Sequence, residues 1–458
     1  MKNNEYRLKY HLMPLEGTIA DPNGMCQIED TFHIFYLNDP QAFKTKGRVP
    51  CLWRHYSTQD FINFVQEPIA LLPDSRYDRD GVYSGSGFYE KEKLYLFYTG
   101  NVRHEGNYDY IMAGREQNVL MVQSADYIHF DDKQLLMTNA DFPKDMTKHV
   151  RDPYVFYQDQ YYMFLGARDI HDQGMILAYE SKDKKEWKFI QRIKTKEKFG
   201  YMWECPDYFE LSQQQILVCC PQGIKQHEYE NKHQCGYFIL HGDFRNNYQL
   251  ERFQAFDEGF DFYAARTFLS QDKRRILVGW MGIPDCPYKT PTIQYNWNDA
   301  LILPRELTFR DNQIYQYPIR ETKNLRTKHL YKELVEKEIY YYQSHVCQIH
   351  LEITFQKFQI DLRKDLQLRY DGKILTLSLQ ESGYGRDKRC VKINEISEID
   401  IFSDISSLEI FINHGQKVMT TRVYDSYHDT KIKVSCPMTM DYYELKSYNI
   451  IEKKETKR

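Results

Sequence analysis

No stretch of this 458-residue chain is apolar for long enough to span a bilayer, and its first ten residues hold no apolar run of the kind that opens a secretory leader. The expectation is a soluble, cytoplasmic protein with no membrane partner. An excess of one charge is also missing. The 61 Lys and Arg nearly balance the 65 Asp and Glu, and apart from the tail Lys453 to Arg458 the basic residues are scattered. Without a basic stripe, nucleic acid is not an expected partner. The 10 cysteines are too few in so long a chain for a disulfide framework, and none has a paired zinc-ligand spacing. Reduced, mostly buried thiols and no metal are expected; Cys219 and Cys220, adjacent on a predicted strand, face opposite sides. No helical period persists beyond about three turns, and glycine is sparse at 22 residues.

What the chain has in quantity is aromatic residues, 15% of the total with 38 Tyr. They suit half-buried strands and the stacking surfaces of a sugar site, although sheet core alone accounts for most of them. Five short apolar strands recur: Phe32 to Tyr36, Leu94 to Tyr98, Tyr161 to Leu165, Ile216 to Cys219 and Ile276 to Trp280. Their starts are spaced by about 55 to 67 residues, a repeat length that suits propeller blades. An acid stands upstream of each: Asp21, Asp80, Asp152, Glu204 and Asp261. The pattern predicts an all-β chain, a five-bladed β-propeller whose central funnel is lined by carboxylates. Phrases with Asp just before an aromatic, at Asp60-Phe61, Asp126-Tyr127 and Asp183 to Trp187, mark turns into outer strands.

Composition shifts after Pro304-Arg305-Glu306-Leu307. Residues 1–318 are expected to form the propeller, the charged stretch 319–339 a linker with a short helix, and 340–458 a C-terminal β-sandwich. Alternating segments such as Gln348 to Thr354 and a hairpin turn at Asn413-His414-Gly415 support the last assignment.

Three acidic motifs carry the chemistry: Asp21-Pro22-Asn23-Gly24, Arg151-Asp152-Pro153 and Trp203-Glu204-Cys205-Pro206-Asp207. A single Asp-Pro pair usually just opens a turn. Acids at matching places in successive repeats instead suit glycoside hydrolysis, which needs one ionised and one protonated carboxyl group. Asp21, beside a tight turn of backbone donors, is expected to be the ionised group, because hydrogen bonds to a carboxylate lower its pKa. Glu204, in what reads as a drier setting, is the expected acid.

With His11 to Pro14, Tyr83 to Ser86, Tyr98 to Asn101, Asp261 to Ala264, Gly279 to Gly282, Leu303 to Leu307 and Ile410 to Asn413, these motifs run in the order of glycoside hydrolase family 32, and the chain resembles that family over nearly its whole length. The resemblance implies retaining hydrolysis of a terminal β-fructofuranoside, sucrose 6-phosphate or sucrose, without a cofactor or metal. It makes Asp21 the nucleophile, Glu204 the acid and then base, and Asp152 the residue that binds fructose hydroxyls and stabilises the transition state. Arg151 would hold the carboxylates, and Asn23, Trp53 and Ser84 would line the fructose pocket. Fructose itself comes only from the resemblance.

The departures bear on substrate. Ala20 precedes Asp21 and Leu37 follows Tyr36 where the family carries amides, each worth about 1 kcal/mol if buried. Arg54 and Arg266 replace neutral residues in funnel-facing motifs. Either could pair with a substrate phosphate, since guanidinium suits bidentate phosphate contacts, or with local carboxylates such as Asp80 or Asp261. Two other readings stay open: a fructan or fructooligosaccharide exohydrolase, and a sugar-binding propeller without turnover. The sequence suits a monomer or a homodimer equally.

Overall fold

A computed structural model describes residues 5–44, 50–224, 230–426 and 428–453, which leaves the tail beyond Lys453 and residues 1–4 outside the described part. Among the described residues there is no α-helix, only three short 3-10 turns, and no helix is long and apolar enough to cross a membrane. Five antiparallel sheets of the first two thirds are blades whose first strands are Gly17–Ile28, Val82–Glu90, Met146–Tyr157, Met202–Leu211 and Tyr263–Leu269. These first strands touch one another in a closed ring around the axis. The five apolar runs seen in the sequence fall in the second strand of each blade, where they are buried on both faces. The Asp-aromatic phrases are turns after the third strands; Asp60, Asp126 and Asp183 each accept two backbone N–H groups there. Parallel pairing of Gly17 and Thr18 with Trp297 and Asn298 joins blade five to blade one and closes the propeller.

One irregularity recurs at the same height in every blade. In blade one Ala20 and Asp21 together oppose Leu37, in blade three Asp152 and Pro153 oppose Leu165, in blade four Cys205 and Pro206 oppose Cys219, and in blade five Ala264 and Ala265 oppose Gly279. In blade two Ser84 is the extra residue between Tyr83 and Gly85. An extra residue frees a side chain from the ladder and turns it toward the axis. A bulge also tolerates proline, which would cost a ladder hydrogen bond elsewhere in a central strand. Asp152, Cys205 and Ala264 have positive φ (64°, 49° and 49°), local strain held in place by the ring. The motifs Asp152-Pro153 and Cys205-Pro206 are therefore bulges rather than turns. The blades also close tightly on the axis: a Cβ on Gly87 would stand 2.5 Å from the Gly24 carbonyl oxygen.

The C-terminal part is a sandwich of two six-stranded antiparallel sheets, with Ile349, Ile401, Ile410, Leu368 and Leu377 among its fully buried core. Two segments depart from the expected division. The charged stretch expected as linker contains the edge strand Arg326–Leu334, which pairs with Met438–Leu445; only the 3-10 turn Arg320–Leu325 connects the sheets. Alternate charged side chains there cover an edge facing water, so its composition resembles a linker. Near the end of the chain, Asn449–Glu452 returns to add a parallel strand to Asn63–Gln66 of blade one.

The propeller and sandwich share a polar seam. Asp261 meets Arg386 through two contacts of 2.7 Å, Arg305 bridges Asp257 and Glu409, and His11 lies between Asp404 and Glu409. Asp261 is thus in a domain interface and not in the funnel. Asp80 caps the turn before blade two, accepting from the Arg103 backbone at 2.8 Å. The positions equivalent to Asp21, Asp152 and Cys205 in those two blades are Ser84 and Ala264.

Candidate active site

The bulges bring Asp21, Ser84, Asp152 and Glu204 together from blades one to four. Ser84 Oγ donates to Asp21 Oδ2 at 2.5 Å, and the Cys205 thiol approaches the same oxygen at 3.6 Å. Asp152 accepts from the Cys205 backbone N–H at 3.0 Å, while its own N–H donates to Thr99 Oγ1 at 2.8 Å. Glu204 Oε1 takes Arg151 Nε at 3.0 Å together with Nη2 of the same guanidinium. Glu204 Oε2 takes Gln222 Nε2 at 2.7 Å and the Tyr263 hydroxyl at 2.8 Å.

Two expectations about this chemistry are corrected. Asn23 and Gly24 do not form a turn of donors around Asp21; they lie within the first strand, and the Asn23 amide bridges the Asp21 carbonyl and the Gly85 N–H. Burial instead pushes the Asp21 carboxyl above its usual range, helped by the Glu204 charge and opposed by the Ser84 hydroxyl and by Arg266. Glu204 is not in a dry setting either, because three polar side chains surround its carboxylate. Asp152 is pushed up to about 6 by burial, with Arg151 opposing and Glu204 adding. Asp21 and Asp152 each lie within electrostatic reach of Glu204, and neighbouring acids in different surroundings can divide acid and base roles between them.

The remaining candidates lie farther back. Trp53 has no accessible surface; its indole N–H donates to the Tyr83 carbonyl at 3.1 Å, so it supports the Ser84 bulge from behind instead of lining an open pocket. Asn23 is likewise fully buried. Arg266, only 3% exposed, donates to the Pro206 carbonyl, and its charge reaches Asp152, Asp207 and Asp21 from beneath. Sealed under the carboxylates, it is a counter-ion for them and not a receptor for a substrate phosphate. Arg54 extends from the third strand of blade one and donates to Asn38 Oδ1 at 3.0 Å. Neither arginine pairs with Asp80 or Asp261.

The sequence reading missed Tyr263, Thr99, Cys205 and Gln222. The first three stand inside motifs already singled out, but only Cys205 is next to a catalytic acid in the sequence. Gln222, the last residue of the second strand of blade four, carries no signal of its role.

The profile of the glycosyl hydrolases family 32 N-terminal domain matches residues 11–318, and that of the family 32 C-terminal domain matches 321–447. The sucrose-6-phosphate hydrolase of Bacillus subtilis is 34% identical over 443 residues, covering 92% of this chain and 90% of that one. The Staphylococcus xylosus sucrose-6-phosphate hydrolase is 32% identical, with 98% and 94% covered. Among solved structures, sucrose-6-phosphate hydrolase from Lactobacillus gasseri superimposes with a TM-score of 0.86 at 27% identity, covering 97% of this chain and 94% of that one. A family 32 β-fructofuranosidase from Bombyx mori gives 0.84 at 26%, covering 98% and 95%. With both domains matched in order and the carboxylates converging in the funnel, this chain belongs to glycoside hydrolase family 32.

Proposed function

We infer that this protein is a retaining β-fructofuranosidase that hydrolyses sucrose-type substrates, sucrose 6-phosphate or sucrose. The observation that carries the reading is the convergence of Asp21 and Asp152, each in the bulge of its own blade, with Glu204, which stands in the ladder directly before the Cys205-Pro206 bulge of blade four, in a family 32 chain. The full-length relatives named sucrose-6-phosphate hydrolases support the substrate class. Exo-inulinase and fructan exohydrolase structures share the fold below 25% identity and add nothing to substrate choice. A phosphorylated disaccharide stays in the compartment where it is made, so a preference for it also supports a cytoplasmic location.

In this reading the Asp21 carboxylate attacks C2 of the fructosyl ring while Glu204 gives its proton to the glycosidic oxygen. The glucosyl part leaves, and a fructosyl ester remains on Asp21. Glu204, now ionised, takes a proton from water, which attacks C2 and releases fructose with retained configuration. Asp152 faces the ring hydroxyls and the positive charge that develops on the ring. The Tyr263 hydroxyl suits both states of Glu204. It donates to Oε2 when the acid is ionised, and can turn to the Cys220 carbonyl, 3.3 Å away, when Oε2 carries the proton.

The test is sugar release from sucrose, sucrose 6-phosphate, kestose and inulin by the wild type, Asp21→Asn and Glu204→Gln. Asp21→Asn should lose at least about 1,000-fold, within the range seen when a covalent nucleophile is removed. Glu204→Gln should damage sugar leaving groups far more than an activated aryl fructoside, which needs no protonation. Near-normal turnover by Asp21→Asn would overturn the assignment.

A further inference from the structure

The cleft where the last blade meets the sandwich gathers cations without matching acids. The outer strands of blade five, Arg305–Arg310 and Gln313–Pro318, and the 3-10 turn Arg320–Leu325 form one side of a cavity of about 350 Å³. Gln348, Phe402 and His414 of the sandwich form the other. Arg310, Arg320, Lys323 and Arg326 line it, and among the described lining residues Glu306 is the one carboxylate. Glu306 is shared between Arg274 and Arg320, 3.9 Å from each. Arg310, Lys323 and Arg326 form no ion pair with any described residue. Arg326 is fixed in advance. Its guanidinium lies 3.9 Å over the Tyr443 ring, and Nε donates to Gln348 Oε1 at 3.0 Å. Gln348 Nε2 donates in turn to the buried Asp400 at 3.0 Å. Both Nη groups of Arg326 are left without a hydrogen-bond partner among the described residues. Arg310 is held in the same way, 3.7 Å over Tyr315. Tyr317 of blade five and His414 of the sandwich hairpin stack at 4.2 Å, with their ring planes 13° apart.

We propose that this cleft is a binding site for a small phosphate monoester, a sugar phosphate, separate from the funnel. The funnel is lined by the first strands of the blades, whereas the cleft lies against the third and fourth strands of blade five. The phosphate sits among Arg310, Lys323 and Arg326, where guanidinium forks give it paired, charge-assisted contacts. Arginines already stacked on rings lose little freedom when they take such a ligand. The sugar body lies against the Tyr317–His414 pair, whose aromatic surface suits the apolar face of a pyranose. A cavity of this size is at the lower end of the range of small-molecule sites, which fits one monosaccharide phosphate rather than a longer chain. Arg310 belongs to the propeller and Arg326 to the sandwich edge, so the bound ester ties the two domains together. None of these residues takes part in the hydrolytic step, and the site does not depend on the fructosidase reading.

The experiment titrates glucose 6-phosphate and inorganic phosphate calorimetrically into the full-length wild type, Arg310→Gln and Arg326→Gln, with circular dichroism to show that each variant is folded. Charge-assisted hydrogen bonds are worth enough that each substitution should weaken glucose 6-phosphate binding at this site by about 10- to 100-fold. Because the ligand binds only the folded protein, it should also raise the melting temperature of the wild type more than that of either variant. Turnover of sucrose 6-phosphate should stay at the wild-type level in both variants, which separates this site from the funnel. Glucose 6-phosphate affinity that is unchanged in both variants would place the ligand elsewhere and overturn the site. Absence of binding to the wild type at millimolar concentration would overturn it too. Inorganic phosphate that binds as tightly as glucose 6-phosphate would overturn the sugar phosphate as the ligand and leave only a surface anion.

Discussion

Ser84 Oγ and Asp21 Oδ2 meet at 2.5 Å across the seam between blades one and two, each on a bulge of its own strand. The hydroxyl opposes the burial that raises the Asp21 pKa. Its loss in Ser84→Ala removes a hydrogen bond to a charged group, about 1.5 to 3 kcal/mol, or roughly one to two pKa units. Asp21 must be ionised to attack, so the acid limb of the pH profile of kcat/KM should move to higher pH by that amount. A lowered plateau with an unmoved limb would mean that Ser84 acts only on the sugar.

Asp152 predicts the opposite trade. Its carboxyl is pushed up to about 6, mainly by burial. A folded-state pKa above the unfolded one means that ionised Asp152 weakens the fold. The penalty is absent below about pH 4, grows through the interval up to the folded value and is complete above it. Asp152→Asn should therefore lose most activity yet unfold at a higher temperature near pH 7, by on the order of 1 to 3 kcal/mol. The gain should vanish when the scan is repeated near pH 3.5. Equal stability at both pH values would show that Arg151 already offsets the buried charge in full.

Much of this arrangement is legible in the sequence. The five apolar second strands and the turns that follow the third strands are local patterns, visible because alternation and Asp-capped turns act over a few residues. The three carboxylates are visible because acids recur at matching places in successive repeats, two of them directly before proline. The ladder register is what the sequence hides. A bulge is a disagreement between two strands some 15 residues apart, so Ser84 and Ala264 could not be recognised as the partners of Asp21 and Asp152. Asp80 and Asp261, closer in type, took their places. The fate of Arg266, Arg386 and the charged strand Arg326–Leu334 also depends on what packs against them, and for a charged residue the sequence alone does not distinguish a buried partner from solvent.

The Arg386–Asp261 pair tests whether the sandwich is needed to hold the propeller. Both side chains are almost wholly buried, and Asp261 Oδ2 also accepts the Arg422 backbone N–H at 2.8 Å. Removing one partner strands the other, at a cost of about 3 to 5 kcal/mol. Arg386→Met and Asp261→Asn should each lower the urea midpoint strongly, and the double variant should recover part of the loss. Additive losses in the double-mutant cycle would show that the two residues act through separate neighbours.

His11 gives the same interface a pH dependence. Burial works against its charge, but hydrogen bonds to Asp404 at 2.8 Å and Glu409 at 3.0 Å outweigh burial and raise its pKa. Burial likewise opposes the charge of Glu409, and Arg305 and His11 outweigh it and hold the carboxyl low. Protonated His11 therefore contributes stability that is whole below its unfolded value of about 6.5 and is lost as pH rises through the higher folded value. Glu409 contributes above its own unfolded value of about 4.3 and loses that contribution as pH falls through its folded one. The network should be strongest between these limits. The difference in melting temperature between the wild type and His11→Gln should be largest near pH 5.5 to 6 and shrink steadily toward pH 9. A difference that stays constant across that range would mean that His11 holds the seam as a neutral ring, through shape and hydrogen bonding alone.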